Sequence, residues 1–122
     1  MKTLQQIGAA LVDEIERFQI PDASDTTLCV GTAWSADRYQ EEIREMRQLL
    51  ISPYWCDVSV EEGLEFGQGD HSPERFAVVA KDGYYVLVVD AVQTKYALGW
   101  INDRGEIYAF MAGDAVSTFL AR

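Results

Sequence analysis

The stretch RFAVVAKDGYYVLVVD, residues 75–90, decides the fold because it predicts two neighbouring strands joined by a tight turn. RFAVVAK and YYVLVVD are both rich in β-branched and aromatic residues, which favour strands. Asp82-Gly83 stands between them and favours a two-residue hairpin turn, because glycine tolerates the positive φ that such turns need. We therefore expect an antiparallel hairpin in the second half of the chain.

Further strands are predicted on both sides of this hairpin. WCDVSVE, residues 55–61, alternates apolar and polar residues, as a strand with one solvent-facing side does. KYALGWI and EIYAFMA flank the turn NDRG and predict a second hairpin. Asp114 is a suitable N-cap for a short helix in GDAVSTFLAR, whose apolar residues would lie on the sheet. The pattern predicts a meander of four to five antiparallel strands followed by a short helix.

The first half of the chain is predicted to be mainly helical. TLQQIGAALVDEIERFQIP carries apolar residues at helical spacing, with Thr3 as its N-cap. A second helix is predicted over ADRYQEEIREMRQLLI, residues 36–51, with Ser35 as its N-cap. Residues 27–33, between the two helices, fit either a short strand or an extended linker.

These elements predict one α+β domain over residues 1–122, with a mainly helical part at 1–53 and a mainly β part at 54–122. Two N-terminal helices, the antiparallel meander and the C-terminal helix would pack as two layers. The content of 48% hydrophobic and 25% charged residues is close to that of ordinary folded domains, which argues against a disordered or membrane protein.

Features of the chain also predict its location and the state of its cysteines. No apolar run approaches the ~20 residues that a membrane-spanning helix needs. Asp13, Glu14 and Glu16 stand where a signal peptide would be apolar, so we expect a cytoplasmic protein. Cys29 and Cys56 form no CxxC or CxxH pattern and are expected to be small buried hydrophobes.

Acidic residues are concentrated in one part of the chain. The net charge is −10, and residues 53–75 contain six acidic residues and one basic residue, so this segment alone carries −5. Such a field repels nucleic acid and anionic membranes, and it attracts basic protein surfaces or cationic ligands. We therefore expect no direct nucleic-acid partner and no membrane partner.

The segment EEGLEFGQGDHSP, residues 61–73, holds three glycines, four carboxylates and the only histidine. A phosphate loop would open a helix and bring a positive charge, whereas this segment is negative and precedes a strand. Its carboxylates fit no calcium-loop spacing, and zinc would need more histidine or cysteine ligands. Catalysis by Asp70 and His71, with Ser72 or Cys56 as the nucleophile, requires contacts that the spacing does not imply. No cofactor or metal is expected, and the segment is interpreted as a binding loop.

Aromatic residues lie among these carboxylates, and aromatic anchors inside a polar rim are typical of protein interfaces. An alternative is that Trp55 and Phe66 are core residues that border an acidic loop. Trp34 and Trp100 are interpreted as core residues. The predicted partner-binding residues are Tyr54, Trp55, Asp57, Glu61, Glu62, Glu65, Phe66, Asp70, His71 and Glu74.

The half of the chain with SPYW, RFAVVAKDGYYVLVVD and YALGWINDRGEIYAFMAGDAVSTFLAR resembles small acidic immunity proteins of bacterial polymorphic-toxin and contact-dependent inhibition systems. Those families share little sequence, so no residue's role is transferred by position. The resemblance implies a small cytosolic protein without an active site that binds one cognate toxin and blocks it. Many such toxins are basic nucleases, and an acidic partner with aromatic anchors suits a phosphate-binding cleft.

Three functions follow as expectations. The first is a non-enzymatic immunity protein that neutralises a cognate, basic toxin by covering its active site. The second is a small-ligand or metal-dependent enzyme that uses Glu65, Asp70 and His71. The third is a homo-oligomeric structural module in which YYVLVVD or the apolar stripe of the first helix pairs with its copy. The sequence does not determine the oligomeric state.

Overall fold

A computed structural model describes residues 2–20, 34–61, 64, 74–90 and 95–122 of the chain. It confirms the α+β class and the antiparallel meander. The question of a strand at residues 27–33 lies outside the described residues. The elements are α1 (Leu4–Arg17), α2 (Ala36–Gln48), β1 (Leu50–Val60), β2 (Glu74–Asp82), β3 (Tyr85–Asp90), β4 (Tyr96–Ile101), β5 (Ile107–Gly113) and α3 (Ala115–Leu120).

The three predicted N-caps are confirmed. Thr3 and Gln6 form a capping box, in which the Gln6 amide donates to the Thr3 hydroxyl at 3.2 Å and the Thr3 amide donates to the Gln6 side chain at 2.9 Å. The side chains of Ser35 and Asp114 accept hydrogen bonds from the backbone amides of α2 and α3. No helix in the described part of the chain is long and apolar enough to cross a membrane.

Helix α2 is shorter than predicted. It ends at Gln48, and Leu50, which was expected to lie in the helix, begins β1 and pairs with Ala80 of β2. The Leu49 carbonyl accepts a hydrogen bond from the Lys81 amide at 3.1 Å, so the helix end is joined directly to the sheet. The β part therefore begins before the predicted boundary at residue 53.

The five strands form a closed barrel in the order β1-β2-β3-β4-β5. Consecutive strands are antiparallel, and β5 closes the barrel by pairing in parallel with β1 through Val58 and Ile107. The closure must be parallel because the first and fifth strands of a meander run in the same direction. Register shifts in three of the antiparallel pairs mark bulges or irregularities, which bend strands and increase their twist.

The structure has two apolar cores, whereas a two-layer domain has one. The second core exists because the closed barrel encloses side chains that an open sheet would expose. The barrel interior contains Val58, Phe76, Val78, Val86, Val88, Ala97, Ile107 and Ala109. The space between the sheet and the helices contains Ile7, Leu11, Ile15, Met46, Ala77, Val79, Ala80, Leu87, Val89, Tyr96, Leu98, Ala115, Val116, Phe119 and Leu120. Strands β2 and β3 contribute to both cores, which explains their nearly continuous apolar runs.

The β2–β3 hairpin is confirmed, with its turn one residue later than predicted. Asp82 pairs with Tyr85, so the two loop residues are Gly83 and Tyr84. Gly83 has a φ of 59°, which is in the left-handed region that glycine adopts without strain. The Tyr84 side chain is 71% exposed at this turn.

Arg122 joins α3 to two other elements. Its Nε donates to Asp82 Oδ2 at 2.7 Å, and its guanidinium lies 4.2 Å from the centre of the Phe119 ring. A second nitrogen lies 3.9 Å from Glu45 of α2. The Arg122 side chain is only 8% exposed, so these contacts hold α3 against the β2–β3 hairpin.

Candidate functional site

The predicted partner-binding residues fall into two groups. Tyr54, Trp55, Asp57 and Glu61 are described, and they lie on β1 or directly after it. Glu74 begins β2, where only its backbone is described. The remaining predicted residues lie outside the described residues, and they are Glu62, Glu65, Phe66, Asp70 and His71.

The described residues on β1 do not all face the solvent. Tyr54, Asp57 and Glu61 are exposed. Trp55 instead packs against the core beneath the helices, and the Arg75 guanidinium lies 4.9 Å from the centre of its ring. The half-buried Trp55 ring therefore has contacts within the molecule, and its role in partner binding stays a prediction.

Trp100 and Tyr108 form an exposed aromatic pair that the sequence reasoning missed. Trp100 was interpreted as a core residue, but it is 50% exposed, and Tyr108 is 40% exposed. The two residues are opposite each other on β4 and β5, and Tyr108 is opposite Ser59 on β1. Tyr96 and Leu98, on the same face of β4, are buried beneath the helices, whereas Trp100 lies near the end of the strand, where this cover stops.

A groove of about 400 Å³ runs beside this aromatic pair, and we call it the Trp100 groove. The Phe110 ring packs against Trp100 with 4.5 Å between ring centres and 36° between ring planes, which supports one side of the indole. The groove is lined by Ser59, Trp100, Ile101, Asn102, Glu106, Ile107 and Tyr108. Its walls therefore combine aromatic surface with a carboxylate, an amide and a hydroxyl.

The carboxylate of the groove is held in place by the β4–β5 turn. Asn102 Nδ2 donates to Glu106 Oε1 at 3.2 Å. The side-chain oxygen of Asn102 accepts from the backbone amides of Arg104 at 3.0 Å and Glu106 at 2.9 Å. Glu106 is exposed and forms no ion pair with another described residue. Its negative charge therefore faces the groove without a cationic partner in the described part of the chain.

Cys56 lies on β1 close to the same turn. Its Sγ is 3.4 Å from the Asp57 carbonyl oxygen and 3.9 Å from that of Gly105. Burial raises the pKa of the Cys56 thiol, and the Asp57 carboxylate raises this pKa further. The pKa of the Tyr54 hydroxyl is also raised, first by burial and then by Cys56. A raised pKa lowers the thiolate fraction at neutral pH, so these surroundings do not favour Cys56 as a nucleophile.

We expect Asp57→Asn to lower the pKa of Cys56, because the substitution removes a negative charge that disfavours the thiolate. The measurement is the pH dependence of iodoacetamide alkylation in a Cys29→Ser background. The midpoint should be higher in the folded protein than in the urea-unfolded protein, and Asp57→Asn should shift it down. Glu61→Gln is the matched control and should leave it in place. Equal midpoints in the folded and unfolded chains would contradict the prediction.

The described residues also bear on the metal and oligomer hypotheses. Within residues 2–20, 34–61, 64, 74–90 and 95–122, no three His, Cys, Asp or Glu residues form a cluster that could hold a metal ion. Strand β3 is paired with β2 and β4, so YYVLVVD has no free edge for a second copy. The α1 stripe of Ile7, Leu11 and Ile15 is buried in the core. Strand β3 and these three α1 residues are therefore engaged within one copy of the chain, and the homo-oligomeric module stays a prediction.

Comparison of the chain with protein-family models, curated proteins and solved structures found no match. A proposal for the function must therefore be based on the surface residues of the barrel. The described residues define an α+β barrel with an exposed aromatic and acidic face.

Proposed function

We propose that this protein is a non-enzymatic binding protein whose partner is a basic protein that docks on the Trp100 groove. The observation that carries the proposal is the exposed pair of Trp100 and Tyr108 beside the Glu106 carboxylate, which forms no ion pair with a described residue. Tryptophan and tyrosine are enriched among the residues that dominate binding energies, because they bury a large area with little loss of conformational freedom. Two such side chains exposed next to each other fit a docking site.

The charge of the chain supports a basic partner. The net charge is −10, and exposed Asp57, Glu61 and Glu106 lie on or beside β1 and β5. The Glu61 amide donates to the Ala109 carbonyl at 2.9 Å, so the acidic segment 61–73 starts next to the strand that carries Tyr108. Complementary charge speeds the encounter of two proteins, and buried aromatic anchors slow their dissociation.

The finer proposal is that the protein is an immunity protein and that the basic partner is a cognate toxin, with a nuclease as one candidate. Its support is the acidity of residues 53–75 and the resemblance of the second half of the chain to immunity proteins. The protein would cover the active site of the toxin and would need no catalytic group of its own. The alternative of an enzyme that uses Glu65, Asp70 and His71 stays a prediction, because these residues lie outside the described part.

The test begins with affinity purification of the tagged protein from its native cell extract at low and moderate salt. A basic protein retained in stoichiometric amounts is then expressed alone and with this chain. We expect it to be toxic alone and harmless in co-expression. Trp100→Ala should weaken the complex roughly 30-fold, which corresponds to about 2 kcal/mol for a central aromatic anchor.

The controls separate the groove from general surface effects. Val12→Ala removes an exposed apolar side chain from α1, which contributes no residue to the groove, and should leave the affinity unchanged. Charge reversal at Glu62 and Glu65 should weaken binding more at low salt than at high salt, because salt screens exposed charges. Binding to an acidic partner, or equal effects of Trp100→Ala and Val12→Ala, would refute the proposal.

A further inference from the structure

We infer that the Trp100 groove is a recognition site for a single arginine side chain. The inference rests on the proposed function, in which the arginine belongs to the basic partner. It specifies the chemical group that the groove binds, and it can be tested without the partner.

The first support is that the two other tryptophans of the chain each contact an arginine. The Arg38 guanidinium lies 4.3 Å from the centre of the Trp34 ring, and that of Arg75 lies 4.9 Å from the centre of the Trp55 ring. These distances are typical of cation–π interactions, in which tryptophan is the best aromatic partner. Trp100 carries no such cation among the described residues, although it is half exposed. It therefore presents an indole that is open to a cation from outside.

The second support is the arrangement of side chains around this indole. Trp100 and Tyr108 are opposite each other on β4 and β5, and Asn102 and Glu106 face each other two positions closer to the turn, beyond the pair Ile101–Ile107. Diagonal neighbours on one face of such a ladder are roughly 7–8 Å apart. A guanidinium stacked on the indole is therefore within reach of the Glu106 carboxylate.

The third support is the fixed orientation of the Glu106 carboxylate. Asn102 holds one Glu106 oxygen by its hydrogen bond, so the carboxylate is already oriented before a ligand arrives. A planar guanidinium stacks on an aromatic ring and donates to a carboxylate at the same time, whereas a lysine ammonium is a strongly hydrated point charge. The combination of a flat aromatic wall with a fixed carboxylate therefore favours arginine over lysine.

The test is a titration of the ¹⁵N-labelled full chain with the peptide acetyl-Gly-Arg-Gly-amide, followed by NMR. The indole N–H signals of Trp34, Trp55 and Trp100 are assigned with single Trp→Phe variants. We expect the Trp100 indole and the amides of Glu106 and Tyr108 to shift saturably, with a Kd on the order of 10 mM for one cation–π contact and one ion pair. The Trp34 and Trp55 indoles should not shift.

Matched peptides and protein variants test whether the groove recognises the guanidinium group itself. The citrulline peptide has the same shape without the charge and should bind at least fivefold more weakly, and the lysine peptide should bind at least twofold more weakly. Glu106→Gln should weaken binding of the arginine peptide at least threefold, while Val12→Ala, on α1 and outside the groove lining, should have no effect. Equal binding of the citrulline or lysine peptide, or equal shifts at all three indoles, would overturn the inference.

The outcome also separates this inference from the proposed function. Binding of a basic protein that depends on Trp100, without binding of the arginine peptide, would refute the arginine site and leave the proposed function standing. Binding of the peptide at Trp100, without any basic protein partner, would refute the proposed function while the groove keeps its arginine site.

Discussion

Replacing Phe76 with alanine is expected to lower the free energy of unfolding by about 3–5 kcal/mol. Phe76 is fully buried in the barrel interior and is among the largest side chains that are completely enclosed. The cost of such a substitution combines the lost transfer of the ring from water with the cavity that remains. The closed barrel restricts collapse into this cavity, because hydrogen-bonded strands surround it.

The measurement is urea unfolding followed by both circular dichroism and tryptophan fluorescence. Tyr84→Ala is the control, because this exposed side chain should change stability by less than about 0.5 kcal/mol. A decrease of less than about 1 kcal/mol in the free energy of unfolding for Phe76→Ala would contradict the burial of Phe76 in the barrel interior. The free energy of unfolding of natural domains is only about 5–15 kcal/mol, so the alanine variant could be unfolded. In that case Phe76→Leu replaces it in the measurement, with an expected loss of about 1 kcal/mol.

Gly99→Ala is the second substitution with a large expected effect, a destabilisation of about 2–4 kcal/mol from overpacking against rigid backbone. A Cβ at Gly99 would lie 2.7 Å from the Tyr108 carbonyl oxygen and 3.2 Å from the Ala109 Cα. These atoms belong to the paired strand β5, so they cannot move aside as a flexible side chain would. The register shift beside Gly99 shows that the two strands approach each other irregularly at this point.

Gly8→Ala is the matched control for Gly99→Ala. Gly8 lies inside α1, and a Cβ there would be 3.5 Å from Pro53 Cγ, an ordinary contact distance. Alanine is about 0.5–1 kcal/mol better than glycine inside a helix, so this variant should be slightly more stable than the parent. Thermal unfolding of both variants should therefore give shifts of opposite sign. A loss of stability from both substitutions would show that the Gly99 contact is not specific.

The parts of the fold that depend on neighbouring residues could be predicted from the sequence. Thr3, Ser35 and Asp114 cap helices through atoms three residues away, and each cap was predicted from local pattern alone. The closure of the barrel could not be predicted, because it depends on pairing between residues 58 and 107 that no local pattern encodes. The apolar runs of β2 and β3 were consistent with burial on both faces, but they do not reveal what covers the second face.

The candidate site shows a similar division. The concentration of acidic residues at 53–75 is a property of the sequence and was visible in it. The exposure of Trp100 depends on where the cover of the helices over the barrel ends, which is a tertiary property. Alternation along β4 places Trp100 on the same face as Tyr96 and Leu98, and those two residues are buried. The alternation of residues therefore predicts correctly which face of the sheet Trp100 lies on, but it wrongly predicts that Trp100 is buried there.

The parallel pairing of β1 with β5 has a consequence for folding kinetics. All other strand pairs join neighbours in the chain, whereas this pair must bring together distant residues and loses the most loop entropy. We therefore expect the barrel to close late in folding and to open first at this junction in native fluctuations. Ser59 and Tyr108 lie on its two sides and both line the groove, so a ligand bound there would hold the barrel shut.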